Sequence, residues 1–177
     1  GVKPGMIRRV GNIMVDTLEH NRKAAEALNI TKIVTRNFSG ADAEKASRDL
    51  FKTDFALLTL HRPSNVDVRS SIEPLVSYFI EELSLEMPIL WTLHPRTEKQ
   101  LESFGLWNRI LACPRIFPLH PLGYREMLCL NASARLMLTD SGGLQEECCV
   151  LGTPCITLRE NTERPVTLVE NGGVSML

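Results

Sequence analysis

Short apolar runs recur along the chain at FALLTL (55–60), ILWTL (89–93), IFPL (116–119), RLMLT (135–139) and CITL (155–158). Between them the period changes. The segments Val68 to Leu85, Thr97 to Phe104, Gly123 to Asn131 and Gly143 to Leu151 repeat apolar residues three and four apart, the spacing of an amphipathic helix. Continuous apolar runs of four to six residues suit strands buried on both faces, and strands alternating with helices suit βαβ crossovers. The pattern therefore predicts an α/β fold with a doubly wound, parallel, Rossmann-like sheet. Ahead of this rhythm we expect a short strand near Ile7 to Val10, a helix from about Met14 to Leu28 and a polar helix near Ala41 to Leu50. Val174 to Leu177 reads as the start of a further strand.

Length and charge narrow the classes. The 177 residues suit one domain with a sizeable core, at roughly 150 residues per domain. Twenty Lys and Arg against 21 Asp and Glu leave a net charge of −1, so bulk electrostatics call for neither nucleic acid nor an anionic membrane. The apolar runs reach only about six residues, against the ~20 needed to cross a bilayer, and the first thirty residues show no signal-peptide pattern. The chain reads as soluble and cytoplasmic. Its opening, GVKPGM, resembles the middle of a longer sequence, so a fragment is expected. Five cysteines (Cys113, Cys129, Cys148, Cys149, Cys155) without a C-x-x-C pair read as reduced, buried thiols.

In a doubly wound sheet, ligands bind beyond the carboxyl ends of the strands. The runs hand over in turn to His61-Arg62-Pro63, His94-Pro95-Arg96, His120-Pro121, Asp140-Ser141-Gly142-Gly143 and Arg159-Glu160. Three histidines at one sheet edge, with arginines beside them, point to a site. A three-histidine zinc centre is the competing reading, opposed by the spacing of successive strand ends and by the lack of a carboxylate ligand.

The segment DSGGLQEE (140–147) ends a strand and opens a helix, so the two glycines allow a tight turn and close backbone approach, and free N–H groups face a phosphate. It is neither a Walker A loop nor a G-x-G-x-x-G fingerprint. Glu147, one turn in, could accept both hydroxyls of a ribose; the bland reading is that Glu146 and Glu147 complement the helix dipole. In RENTERP (159–165), Pro165 suits a first helical position and places Arg164 at its cap, beside the glycines, with its planar fork available to a diphosphate. The alternative is a surface ion pair with Glu160 or Glu163.

These residues carry a resemblance. VGNIMVDTL (10–18), LLTLHRPSNVD (57–67), LHPRTEKQL (93–101), LTDSGGLQEE (138–147), LGTP (151–154) and RENTERP (159–165) together resemble the non-hydrolysing UDP-N-acetylglucosamine 2-epimerases, and what matches is the C-terminal half. The resemblance implies the second Rossmann-like domain of a glycosyltransferase-B-type fold, spanning 1–177. It implies that UDP is eliminated and re-added to invert the carbon bearing the acetamido group, with proton-transferring carboxylates supplied by an absent N-terminal domain. It places Ser141, Gly142 and Gly143 on the phosphate loop, Glu147 on the ribose, Arg164 on the nucleotide phosphates, and His61 and His94 at the cleft. His61 is the candidate catalytic residue. Tyr124 and Met127 fall on the helix flanking the uracil pocket. The implied partner is the UDP-sugar, in a homodimeric full-length parent, with no metal or other cofactor. Ser64 stands where many members carry a glutamate of a regulatory site, Met127 where an aromatic is frequent, and Val166 where a glutamate is common. A glycosyltransferase of the same architecture and a non-catalytic UDP-sugar-binding domain remain the other readings; the tandem glutamates favour the epimerase.

Overall fold

The computed structural model describes residues 1–8, 10–40 and 54–177. Six parallel strands form one sheet in the order β3-β2-β1-β4-β5-β6: β1 (Ala56–Thr59), β2 (Ile89–Thr92), β3 (Ile116–Leu119), β4 (Leu136–Thr139), β5 (Cys155–Thr157) and β6 (Ser175–Met176). Each expected strand from 55 onward is present, including the last. Alternation within the strands divides the core into two layers. Leu57, Leu90, Phe117 and Met137 enter one cluster, whereas Ala56, Leu58, Ile89, Trp91, Ile116 and Leu138 enter the other.

The first layer is covered by α1 (Ile13–Glu26) and α2 (Ile30–Asn37), which contribute Leu18, Ala25, Ile33 and Val34 to that cluster. Asn12 and Asn29 cap the two helices by accepting from the Met14 and Lys32 amides. The second layer is covered by α3 (Pro63–Val66), α4 (Arg69–Tyr78), α5 (Pro95–Ser103) and α6 (Trp107–Ala112). Finally, α7 (Tyr124–Ser133) and α8 (Gly142–Leu151) return to the first layer. Gly152, at φ 77°, ends α8 in the left-handed conformation that favours glycine.

Two expectations need revision. Among the described residues near Ile7 to Val10 no strand is formed: Pro4–Met6 makes a 3₁₀ turn, and Ile7 and Val10 are exposed at 63% and 90%. A two-residue apolar alternation makes a strand only where an edge accepts it, and the β3 edge is taken by Phe38, bridged antiparallel to Leu119. The helix expected as one span from Val68 to Leu85 contains Pro74 and passes into a π-helical stretch, Phe79–Leu83, followed by the turn Ser84–Glu86. The short helices α2 and α6 were not expected, since eight and six residues hold too few repeats to establish a period. The helix expected over 41–50 lies outside the described residues.

Candidate functional site

The chain leaves β1 toward β2 and leaves β4 toward β5, so the crevice between the ends of β1 and β4 is the topological switch point. A single buried carboxylate joins its two sides. Asp140, directly after β4, is fully buried and accepts from the backbone amides of His61 (3.0 Å) and Arg62 (2.8 Å) and from Asn65 Nδ2 (3.1 Å). The His61 ring completes the set, with Nδ1 2.8 Å from Asp140 Oδ1. Burial pushes the Asp140 carboxyl up, but the donors from His61 and Arg62 together outweigh it and hold the group below its ordinary range. Asn65 also donates to Leu158 O at 2.8 Å, which ties the segment after β1 to the end of β5.

His61 and His94 line one cleft of about 280 Å³ with Leu122, Met127, Ser141 and Leu144. Their ring centroids lie 5.9 Å apart. His94 is the N-cap of α5, its Nδ1 accepting from the Arg96 amide at 3.1 Å. The third histidine does not join them. His120 is held away by its own backbone bond to Asn37 O and by Ser39 Oγ, 3.3 Å from its Nδ1. Among the described residues no three His, Cys, Asp or Glu side chains are grouped to hold a metal ion. The five thiols are free, with Cys129, Cys148 and Cys155 buried.

Ser141 caps α8, and its amide donates to Thr139 Oγ1 at 3.0 Å. The amides of Gly142 and Gly143 lie in the first turn, where no preceding carbonyl of the helix can accept them. Neither glycine has a positive φ, so a tight turn is not why glycine stands there. A Cβ at Gly142 would come within 2.7 Å of Glu163 Oε1, the tip of a half-exposed side chain, and within 3.6 Å of Arg164 Cγ, so glycine lets both side chains close over the turn. Arg164 caps the 3₁₀ turn Pro165–Thr167, as expected from Pro165. Its ion-pair partner is Glu146, 3.3 Å away, rather than Glu160 or Glu163. Glu163 instead pairs with Arg62 at 3.0 Å and with Arg159, and its own amide and Arg159 lower its carboxyl to about 2.

Glu147 faces inward and is only 6% exposed. Burial pushes its carboxyl up, partly opposed by the Tyr124 hydroxyl beside it. Burial and the Glu147 charge in turn raise the Tyr124 phenol. Tyr124 thus belongs with Glu147 on the flank of α8, while Met127 lines the cleft itself.

The sequence reading missed two positioning groups. Asp140 enters the sequence reading only as the residue that precedes the glycine turn, although an acid closing an apolar strand at a switch point is itself a signal. Gln145 is fully buried and accepts the hydroxyls of Thr162 (2.7 Å) and Thr167 (3.2 Å), and Thr162 Oγ1 accepts from the Arg164 amide (3.0 Å). That relay seats Arg164 over the first turn of α8.

Comparison with known proteins decides the family: the UDP-N-acetylglucosamine 2-epimerase profile matches residues 1–176. The chain belongs to the UDP-N-acetylglucosamine 2-epimerase family. The Methanocaldococcus jannaschii UDP-N-acetylglucosamine 2-epimerase is 39% identical over 169 residues, covering 95% of this chain and 43% of that protein. The Methanococcus maripaludis enzyme of the same name is 41% identical over 180 residues, covering 98% and 45%. A crystal structure of the M. jannaschii epimerase in complex with UDP-GlcNAc and UDP superposes with a TM-score of 0.81 at 38% identity, over 99% of this chain and 45% of that one. The epimerase-family chain described here therefore spans about half the length of the curated relatives it matches. Among its described residues no helix is long and apolar enough to cross a membrane.

Proposed function

We propose that residues 1–177 form the UDP-binding half of an enzyme that interconverts UDP-N-acetylglucosamine and UDP-N-acetylmannosamine by eliminating and re-adding UDP. One observation supports the reading most: His61, His94, Met127 and Ser141 line one cleft at the switch point, and Arg164 lies against Gly142 at the open first turn of α8 that follows Ser141. Each has a role set by its chemistry. The Gly142 and Gly143 amides and the dipole end of α8 favour the diphosphate, Ser141 adds a hydroxyl, and Arg164 adds a planar fork of donors. Glu147 offers two acceptor oxygens to the ribose hydroxyls. Met127 and Tyr124 flank the uracil, Met127 through the flexible thioether that fills irregular gaps. His61 and His94 face the sugar side, where charge builds on the departing diphosphate. Donors that hold UDP in this way need no metal. The carboxylates that move the proton at the acetamido carbon belong to a preceding domain, so the 177-residue chain alone binds UDP without turnover.

The test is titration calorimetry of the chain with UDP, with and without EDTA. Glu147→Ala and Arg164→Ala should each weaken binding roughly ten- to hundredfold, the effect of one charge-assisted hydrogen bond at ~1.5 to 3 kcal/mol. Unchanged affinity in both variants refutes the site. In the full-length parent, turnover in heavy water should place deuterium at the acetamido carbon; product without deuterium refutes elimination.

A further inference from the structure

The two histidines of the cleft are wired differently, and the wiring follows from which atoms can accept. Asp140 is buried and ionised, so its oxygens only accept, and the hydrogen between it and His61 sits on Nδ1 of the ring. His61 Nε2 is then left with a lone pair, and it becomes an N–H when the ring takes up a proton. His94 is the reverse: its Nδ1 is already an acceptor, from the Arg96 amide, so its hydrogen sits on Nε2. We propose that Asp140 is the positioning residue of the site, fixing His61 as the Nδ1–H tautomer so that Nε2 can carry a proton to the diphosphate of a bound nucleotide-sugar, while His94 beside it serves as a fixed neutral donor.

The geometry makes this assignment sharp. Asp140 Oδ1 faces His61 Nδ1 at 2.8 Å and the His61 amide at 3.2 Å. Oδ2 takes the other donors, the amides of His61 and Arg62 and the Asn65 carboxamide. The carboxylate is thus held on one side by groups that cannot rotate away, and only its other oxygen is offered to the ring. The remaining charges around the ring come from Arg62, whose Nε donates to Asp140 O at 3.2 Å and whose guanidinium is paired with Glu163. With Arg62 committed to these partners, the Asp140 carboxylate is the anion in direct contact with the imidazole. His61 lines the cleft, and a hydrogen carried on Nε2 can be donated there to an anionic phosphate oxygen. When the diphosphate departs from the sugar, the N–H···O bond strengthens as charge grows on the leaving oxygen, and no covalent bond to the protein forms.

An Asp140→Asn substitution separates tautomer from shape. The carboxamide oxygen is drawn to the Oδ2 position, where three donors converge, which leaves the NH₂ facing His61 Nδ1. The ring must then accept with Nδ1 and carry its hydrogen on Nε2. This inference rests on the cleft binding UDP, so the experiment reads the two claims apart. Long-range ¹H–¹⁵N correlation spectra of the ligand-free chain report the tautomer of each histidine, and UDP titrations report binding. Wild type should show Nδ1–H at His61 and Nε2–H at His94; an Nε2–H tautomer or an averaged pair at His61 overturns the proposal. Asp140→Asn should invert His61 and weaken UDP about tenfold, the gap between a charge-assisted and a neutral hydrogen bond, and His61→Gln should match it. An inverted tautomer with undiminished UDP affinity overturns the use of the ring's charge. Absence of UDP binding by wild type overturns the binding reading, and the ligand-free spectra still decide the role of Asp140. The amide spectrum checks that the variant is folded, and the wild-type tautomer is measured without it.

Discussion

Replacing Glu147 by glutamine should stabilise the chain and weaken its binding of UDP. Glu147 is 6% exposed, and burial raises its carboxyl above the ordinary carboxylate value. An acid whose pKa is higher in the folded state than in the unfolded one contributes stability that is complete below the unfolded value, near 4.3, and is lost as pH rises through the folded value. At neutral pH the ionised group therefore costs stability. Removing the charge in a near-isosteric side chain should therefore raise the stability at neutral pH. The gain should appear as a higher Tm. The Tyr124 hydroxyl lies beside Glu147 and can donate to an amide oxygen, so little packing is lost. If Glu147 holds the ribose hydroxyls, the same change removes a charged acceptor and weakens UDP by roughly tenfold or more. Scanning calorimetry at neutral pH and near pH 4.5, combined with UDP titration, reads both effects. The gain in Tm should shrink at the lower pH. A lower Tm at neutral pH together with unchanged UDP affinity would refute the reasoning on both counts.

Asp140 has the opposite sign: its folded-state carboxyl lies below the ordinary value, so its contribution is present above about pH 4 and lost as pH falls through the folded value. Urea unfolding of wild type should weaken on acidification through that range, and Asp140→Asn should be less stable at neutral pH with a shallower acid decline. A Cβ at Gly173 would lie 2.0 Å from the Thr167 carbonyl oxygen, so Gly173→Ala should cost about 3 kcal/mol or more by denaturant unfolding. Gly152→Ala meets open space and only the left-handed φ of 77°, so its cost should be limited to about 1–2 kcal/mol. Gln145→Ala should lower UDP affinity through the loosened Arg164, and added loss in the double variant with Arg164→Ala would show that the two act separately.

The strands from β1 onward, their parallel pairing and the strand-end placement of His61, His94 and the DSGG turn were legible in the sequence. Buried strands and amphipathic helices each impose a period on nearby residues, and a period is a local property of the chain. The place of Arg164 at the head of the 3₁₀ turn opened by Pro165 was legible for the same reason, since proline sets its own φ. The false strand at Ile7 to Val10 marks the limit, because whether an extended segment pairs depends on a free sheet edge elsewhere. His120 marks it too: it follows its strand as His61 and His94 follow theirs, yet a bond to Ser39, 81 positions away, takes it from the cleft. The strand order that makes β1 and β4 neighbours was written in no local pattern, and with it came the contact between Asp140 and His61, 79 positions apart. The same holds for the seating of Arg164 on Glu146 and for the burial that raises Glu147. Charges and hydrogen bonds act through space at a few ångströms, so tertiary packing decided which of the legible residues touch, and hence which tautomer and which charge each one carries.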